Sequence, residues 1–331
     1  MPNRLMLAPM AGITDRPYRR VMARHGAGTV VTEMVSAEGL RRDQKKTWEM
    51  LRPDPGIGAV TAVQIFGSDP LAMAEAARAV EGAGYAMVDI NAGCPVRKVA
   101  RQGAGATLLK DPGALMRIVE AVRRAVRIPV TVKVRIGWDR EHINIEEVVN
   151  RLGPAGADAV IIHARTATQM YGGQADWDWI ARAVQAASVP VIGNGDVTSP
   201  EAAEALLART GCGAVMVGRA SRGNPWLMGA INKRIEGLAD APAPGWEQYL
   251  ATVEEHVDGF LADRPKPAGH LRQLLVWYSR ECPGSSRLRS ALMEVNETGE
   301  MMELFRQWVD RLRQATPGFR KGKLFPDVLR V

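Results

Sequence analysis

"PVIGNGDVTSPEAAEALLARTGCGAVMVGR", residues 190–219, is the stretch that decides the fold. Its first apolar run, "PVIGNGD" (190–196), ends in a glycine-bearing turn. "SPEAAEALLARTG" (199–211) follows, with a capping Ser199, Pro200 at the first helical position, an early Glu201 and a closing Gly211. These signals open and close a helix. A second apolar run, "AVMVGR" (214–219), comes next. Strand, helix, strand is the unit of a parallel sheet, and runs apolar almost throughout fit strands buried on both faces.

The same kind of run recurs toward the N-terminus: "LMLAPM" (5–10), "TVVTEM" (29–34), "AVTAVQIF" (59–66), "YAMVDIN" (85–91), "PVTVKVRI" (129–136) and "AVIIHAR" (159–165). Helical patterns separate most of them, among them "DPLAMAEAARAVEGAG" (69–84) and "DPGALMRIVEAVRRAV" (111–126). Eight strands, mostly alternating with helices, predict an α/β fold, a (β/α)8 TIM barrel. A doubly wound open sheet is the alternative, but no GxGxxG follows the first strand. The composition shifts at "GLADAPAPGW" (237–246), and only helical patterns lie beyond it, at 247–264, 269–282, 286–295 and 298–315. The expected division is a barrel over 1–238, a linker over 239–245 and a small all-α helical-bundle domain over 246–331.

Of 331 residues, 46% are hydrophobic and 24% charged, which suits a large core and excludes a disordered chain. Cys94, Cys212 and Cys282 stand far apart without a CxxC, so a disulfide framework or a structural metal is not expected. No apolar run approaches the roughly 20 residues of a membrane span. The opening "MPNRLMLAPM" lacks the long apolar core of a secretory signal, and a cytoplasmic protein is expected. Net charge is +7, yet from Pro242 onward 13 Lys+Arg face 12 Asp+Glu. The basic excess therefore sits in the barrel part, where it suits nucleic acid or an anionic cofactor.

Barrel chemistry sits at the C-terminal ends of the strands. Those ends carry Pro9, Met10 and Ala11, then Gln64, then Asn91 with Cys94 just past it, then Lys133, His163 with Arg165, Asn194-Gly195-Asp196, and Gly218-Arg219. The last two groups, on the seventh and eighth strands, fit a phosphate site built from main-chain N–H groups, or else simple tight turns. Lys133 either faces the lumen beside an anion or lies at the surface. Cys94, in a loop between Gly93 and Pro95, is either a small buried apolar residue or a reactive thiol. Cys212 and Cys282 read as core fillers. Arg97, Lys98, Arg101, Arg165 and "RRDQKK" (41–46) offer charge to a polyanion or form solvated faces.

The motifs "LAPMAGITDRPYRR" (7–20), "VQIFG" (63–67), "DINAGCPVRKVARQGAGATLL" (89–109), "VKVRIGW" (132–138), "HARTATQMYGGQADW" (163–177), "IGNGDV" (192–197) and "VGRASRGNPW" (218–226) occur in order. The chain so patterned resembles the flavin-dependent tRNA-dihydrouridine synthases, and "HLRQLLVWYSRECPGSSRLR" (270–289) resembles the helical RNA-binding domain of the bacterial B-type members. Ala164 departs from the Gly often found there. The resemblance implies FMN held by Pro9, Met10, Ala11, Gln64, Lys133, His163, Asn194, Gly195, Asp196, Gly218 and Arg219. It implies Asn91 near the substrate uracil and Cys94 as proton donor. Arg97, Lys98 and Arg165 would meet RNA, and the helical domain would grip tRNA. NADPH is the implied reductant, a D-loop uridine, at position 17, the implied target, and a monomer the implied state. Two rivals are an FMN-barrel reductase of a small molecule and a non-catalytic RNA-binding regulator. For the Cys94 thiol, Arg97 and Lys98 pull the pKa down while burial and a reduced flavin push it up.

Overall fold

The computed structural model describes residues 2–54, 56–239, 243–264 and 267–315. Its strands are β1 (Leu5–Leu7), β2 (Thr29–Val31), β3 (Val35–Ser36), β4 (Val60–Phe66), β5 (Met87–Ala92), β6 (Val130–Arg135), β7 (Ala159–His163), β8 (Val191–Asn194) and β9 (Ala214–Val217). All pairings are parallel. β1 pairs with both β2 and β9, and β2 also pairs with β4, so eight strands close into a barrel. The ninth, β3, extends the β2 side of β4 through Val35↔Ile65 and Ser36↔Phe66. The sequence pattern does not predict it, because two residues carry no readable period.

Between the strands run α1 (Arg16–Arg24), α2 (Ala37–Arg41), α3 (Lys45–Glu49), α4 (Pro70–Gly82), α5 (Arg97–Ala100), α6 (Pro112–Ala125), α7 (Ile145–Leu152), α8 (Asp178–Ala186), α9 (Pro200–Thr210) and α10 (Trp226–Ile235). The cap and the closing glycine read from the sequence at α9 are in place, and α4 and α6 are capped in the same way. Asp69, Asp111 and Ser199 accept N–H groups of Leu71, Ala114 and Ala202 at 3.0, 3.0 and 3.1 Å. Gly211 closes α9 with φ +69°.

Alternation along the strands makes two cores. One face packs against the helices, with Val88, Ile90, Val132 and Val134 fully buried. The other fills the lumen with Met6, Val31, Ala62, Met87, Ile161, Ile192, Ala214 and Met216. Toward the carboxyl ends the lumen-facing positions turn polar: Gln64, Asp89, Asn91, Thr131, Lys133, His163 and Asn194 follow the same alternation. That change puts the chemistry at one rim.

Beyond the barrel, α11 (Trp246–Asp263), α12 (Ala268–Ser279), α13 (Ser285–Glu294) and α14 (Thr298–Ala315) surround their own core of Tyr249, Leu275, Leu292 and Phe305. α11 lies on α1, where Gly259 lets the backbones approach: a Cβ there would stand 3.2 Å from Pro17 Cβ. Arg16 pairs with Asp263 at 3.0 Å and Arg264 with Asp15 at 2.9 Å. Trp226 of α10 stacks on Tyr249 with centroids 5.4 Å apart. Of the expected linker 239–245, residues 240–242 lie outside the described residues, as do 265, 266 and 316–331 of the expected helical unit.

Candidate active site

The carboxyl rim holds a cleft lined by Pro9, Met10, Lys133, His163, Asn194, Gly195, Asp196, Gly218, Arg219 and Tyr171, among others. Lys133 Nζ donates to Asn194 Oδ1 at 3.1 Å, and Asn194 Nδ2 donates to the Met216 carbonyl at 2.8 Å. Burial first, then Arg135, brings the Lys133 ammonium down to about 8, against the pull of Asp89 and Cys94. His163 is buried beside Lys133, Arg135, Arg165 and Arg219; burial and those cations hold its imidazole well below the ordinary range, so it is neutral.

The turn after β8 is shaped for a ligand. Gly195 has φ +122° and Asp196 φ +53°, both in the left-handed region. The Asp196 carboxylate anchors the turn by accepting Arg165 Nη2 at 2.7 Å and the Ala175 N–H at 2.7 Å. Trp177 Nε1 donates to the Gly195 carbonyl at 2.9 Å. The main-chain N–H groups of Gly195, Asp196, Gly218 and Arg219 make no hydrogen bond among the described residues. A cluster of open N–H groups beside a guanidinium is an anion cradle.

Cys94 sits across the rim, part-buried, on the loop between β5 and α5. Asn91 Oδ1 accepts the N–H groups of Gly93 and Cys94 at 3.1 and 2.9 Å. The Cys94 carbonyl accepts the Ala106 N–H at 3.0 Å, and Gly105, with φ +62°, passes so close that a Cβ would stand 2.5 Å from that carbonyl oxygen. Burial pushes the Cys94 thiol up, against a main-chain contact from Val96 and the charges of Arg135 and Lys133. Burial wins, and the opposing cations are not Arg97 and Lys98, which are exposed on α5. The thiol is protonated at neutral pH.

Four residues sit otherwise than expected. Gln64 is 1% exposed: its Nε2 donates to Asp89 Oδ2 and its Oε1 accepts Asn91 Nδ2, both at 2.7 Å. It lies beneath the cleft rather than in its lining. Asn91, 7% exposed, spends its carboxamide on Gln64 and the Cys94 loop. Arg165, expected to reach RNA, is 2% exposed, with its guanidinium on Asp196 and on the carbonyls of Gly172 and Gly173. A charge at a strand end turns inward when a carboxylate waits there, and Asp196 is that carboxylate. Ala11 is exposed and outside the cleft lining.

Sequence reasoning missed Arg135, Tyr171 and Asp89. Arg135 is buried and donates to the carbonyls of Gly93 (3.0 Å), Thr166 and Met170 (2.7 Å each), so it ties the Cys94 loop to the loop after β7. Tyr171, half exposed, lies in reach of two cations, Arg219 Cζ at 4.9 Å and Arg135 Cζ at 5.6 Å from its ring centre. An aromatic before paired glycines in a long loop, "QMYGGQ", is the signal that could have found it. Cys212 and Cys282 are buried in the barrel and bundle cores.

Titratable and anion-binding groups thus gather at the rim where barrel enzymes do their chemistry. The chain is a (β/α)8-barrel enzyme. Its family follows from comparison: residues 6–315 match the model of the dihydrouridine synthase family, and the chain belongs to that family. It is an oxidoreductase, and its reaction saturates the C5–C6 bond of uridine. The chain is 38% identical over 304 residues to a probable tRNA-dihydrouridine synthase of Rhodobacter capsulatus, covering 91% of this chain and 93% of that one. It is 37% identical over 310 residues to tRNA-dihydrouridine synthase B of Pseudomonas aeruginosa, covering 93% of each. Among solved structures, 6-hydroxypseudooxynicotine amine oxidase of Pseudomonas geniculata matches 71% of this chain with a TM-score of 0.55 and 17% identity. Histamine dehydrogenase of a Rhizobium species matches 77% with a TM-score of 0.53 and 15% identity. The match spans about half of each of those chains (47% and 49%), and the likeness is one of fold.

Proposed function

We propose that the chain reduces a uridine in the D-loop of tRNA, at position 17, with FMN as hydride carrier and NADPH as reductant. The names of the bacterial relatives support tRNA as substrate. The observation that carries the reading is the Cys94 thiol on a rim loop held by Asn91 and Arg135, on the same barrel rim as the anion cradle.

The residues fit FMN. Its phosphate is an anion, and Arg219 with the open N–H groups of Gly195, Asp196 and Gly218 is a donor set for one. Gly195 permits the turn that presents these N–H groups, since a Cβ there would stand 2.8 Å from Ala175 Cβ. Lys133, fixed by Asn194, and His163 would hold the ring, and Pro9 and Met10 lie on the cleft wall. When bound and reduced by NADPH, FMN supplies the hydride.

The chain's own groups do the rest. Hydride arriving at C6 of uracil leaves negative charge spread over C5 and O4, and the S–H of Cys94 delivers the proton to C5 as a general acid. Burial holds that proton on sulfur until it is needed. Asn91 fixes the loop that carries the thiol, and Arg135 ties the same loop to its neighbour. Arg97, Lys98 and Arg101, all exposed, are free to meet phosphates. The reading divides the chain into the catalytic barrel (1–238), the linker (239–245) and a helical tRNA-gripping domain (246–331). It makes the enzyme a cytoplasmic monomer; among the described residues no helix is long and apolar enough to cross a membrane.

The test is direct. Holoprotein with NADPH and unmodified tRNA is expected to form dihydrouridine at position 17, mapped by mass spectrometry of nuclease fragments. No dihydrouridine in tRNA, together with turnover of free uracil compounds, would overturn the proposal.

A further inference from the structure

Asp89 is wholly buried in the lumen of the barrel, one layer below the rim. A carboxylate there is costly unless its oxygens are satisfied. Both are: Thr131 Oγ1 donates to Oδ1 at 2.6 Å and Gln64 Nε2 to Oδ2 at 2.7 Å. Gln64 and Thr131 are its register partners on the two flanking strands. With both oxygens facing donors, Asp89 presents only acceptors to its two neighbours. That one property propagates. Gln64 must turn its NH2 to Asp89, so its Oε1 faces Asn91. Asn91 must then turn its NH2 to Gln64, at 2.7 Å, so its Oδ1 faces the N–H groups of Gly93 and Cys94. Neither amide has a second orientation that keeps all of these bonds. An acceptor-only group in the lumen therefore sets the direction of a chain of hydrogen bonds ending on the thiol's loop.

We propose that Asp89 is a positioning residue for Cys94, acting through Gln64 and Asn91 to hold the Asn91 carboxamide with its oxygen toward the Cys94 loop. The proposal rests on the reading of Cys94 as proton donor. Its test separates the two. Cys212 and Cys282 are buried, so the rate of iodoacetamide alkylation of the native holoprotein reports Cys94.

Asp89→Leu fills a similar volume without polarity. It is expected to change the alkylation rate of Cys94 about fivefold and to slow single-turnover dihydrouridine formation about tenfold, as misplacement of a reacting group does. The alkylation rate is the deciding readout, because Asp89 also acts on the charge of Lys133 and so can change reduction of the flavin by NADPH. Asp89→Asn is expected to restore alkylation and turnover: its oxygen accepts from Gln64 while its NH2 donates to the Thr131 hydroxyl. If Asp89→Leu does not fold, Gln64→Met cuts the same chain one link later and is read by alkylation alone. Wild-type alkylation in the variant that folds overturns the proposal. So does an Asp89→Asn protein as impaired as Asp89→Leu, since it would mean that charge, not orientation, matters. Full activity in Cys94→Ala would instead defeat the donor reading and leave the alkylation result standing.

Discussion

Arg135 Nε donates to the Gly93 carbonyl at 3.0 Å, one residue before Cys94. The same guanidinium holds the carbonyls of Thr166 and Met170. Only a planar fork with several donors serves three carbonyls on two loops at once. Arg135→Met is expected to lower the unfolding free energy by about 3 kcal/mol, since buried acceptors lose a charged partner. Arg135→Lys should lose nearly as much, because one ammonium cannot span both loops. Urea denaturation of the two variants decides it. Wild-type stability in the lysine variant would mean that the carbonyls need no common partner.

The pattern of this site shows what a sequence discloses. The barrel was legible because continuous apolar strands and capped helices are local signals, and the strand ends then mark the rim. Lys133, Cys94 and the turns at 194–196 and 218–219 followed from that geometry. Arg135 did not, since its partners lie about 30 to 40 residues away in the chain and nothing in "VKVRIGW" tells a tether from a surface charge. Arg165 shows the converse. Its position at a strand end suggested solvent and RNA, while its direction is set by Asp196, 31 residues on. Asp89 reads as one polar residue in an apolar strand until Gln64 and Thr131 are seen on either side of it.

Gly195 tests the anion cradle. Its φ of +122° strains any L side chain, and the Ala175 and His163 side chains already fill the space a Cβ would take, at 2.8 and 3.2 Å. Gly195→Ala is expected to destabilise the protein by about 2 kcal/mol. It should also retain less FMN after gel filtration than wild type, read from absorbance. A variant that is less stable but fully loaded with FMN would remove this turn from the cofactor site.

His256 makes the seat of the helical bundle sensitive to acid. It is buried on α11, against Tyr18 of the barrel and within 2.8 Å of the Tyr278 hydroxyl. Burial lowers its imidazole from 6.5 to about 4, with Asp15 opposing weakly. The folded pKa lies below the unfolded one, so between those values the unfolded chain takes up a proton that the folded chain refuses. This stability is fully present above pH 6.5 and falls as pH drops toward 4, by about 3 kcal/mol over the window. His256→Gln should flatten that part of the stability–pH curve. An unchanged slope in the variant would assign the acid loss to other groups.

The thiol gives the last prediction. Burial pushes the Cys94 pKa above its ordinary value, with Arg135 and Lys133 too weak to reverse it. A general acid works only while protonated, so single-turnover reduction of tRNA uridine should be level from neutral pH to at least about 8.5, the ordinary thiol pKa, and fall only above it. A thiolate at Cys94 would instead give a rate that declines already through neutrality. Cys94→Ala should slow the step by about 100-fold while the flavin is bleached by NADPH at the wild-type rate, since general acids contribute on that order. Cys94→Ser keeps a proton on a far weaker acid and should recover little of the loss. Stopped-flow absorbance of the flavin against tRNA, run across pH on all three proteins, separates these outcomes. A serine variant as fast as wild type would show that the thiol's acidity is not what the step needs.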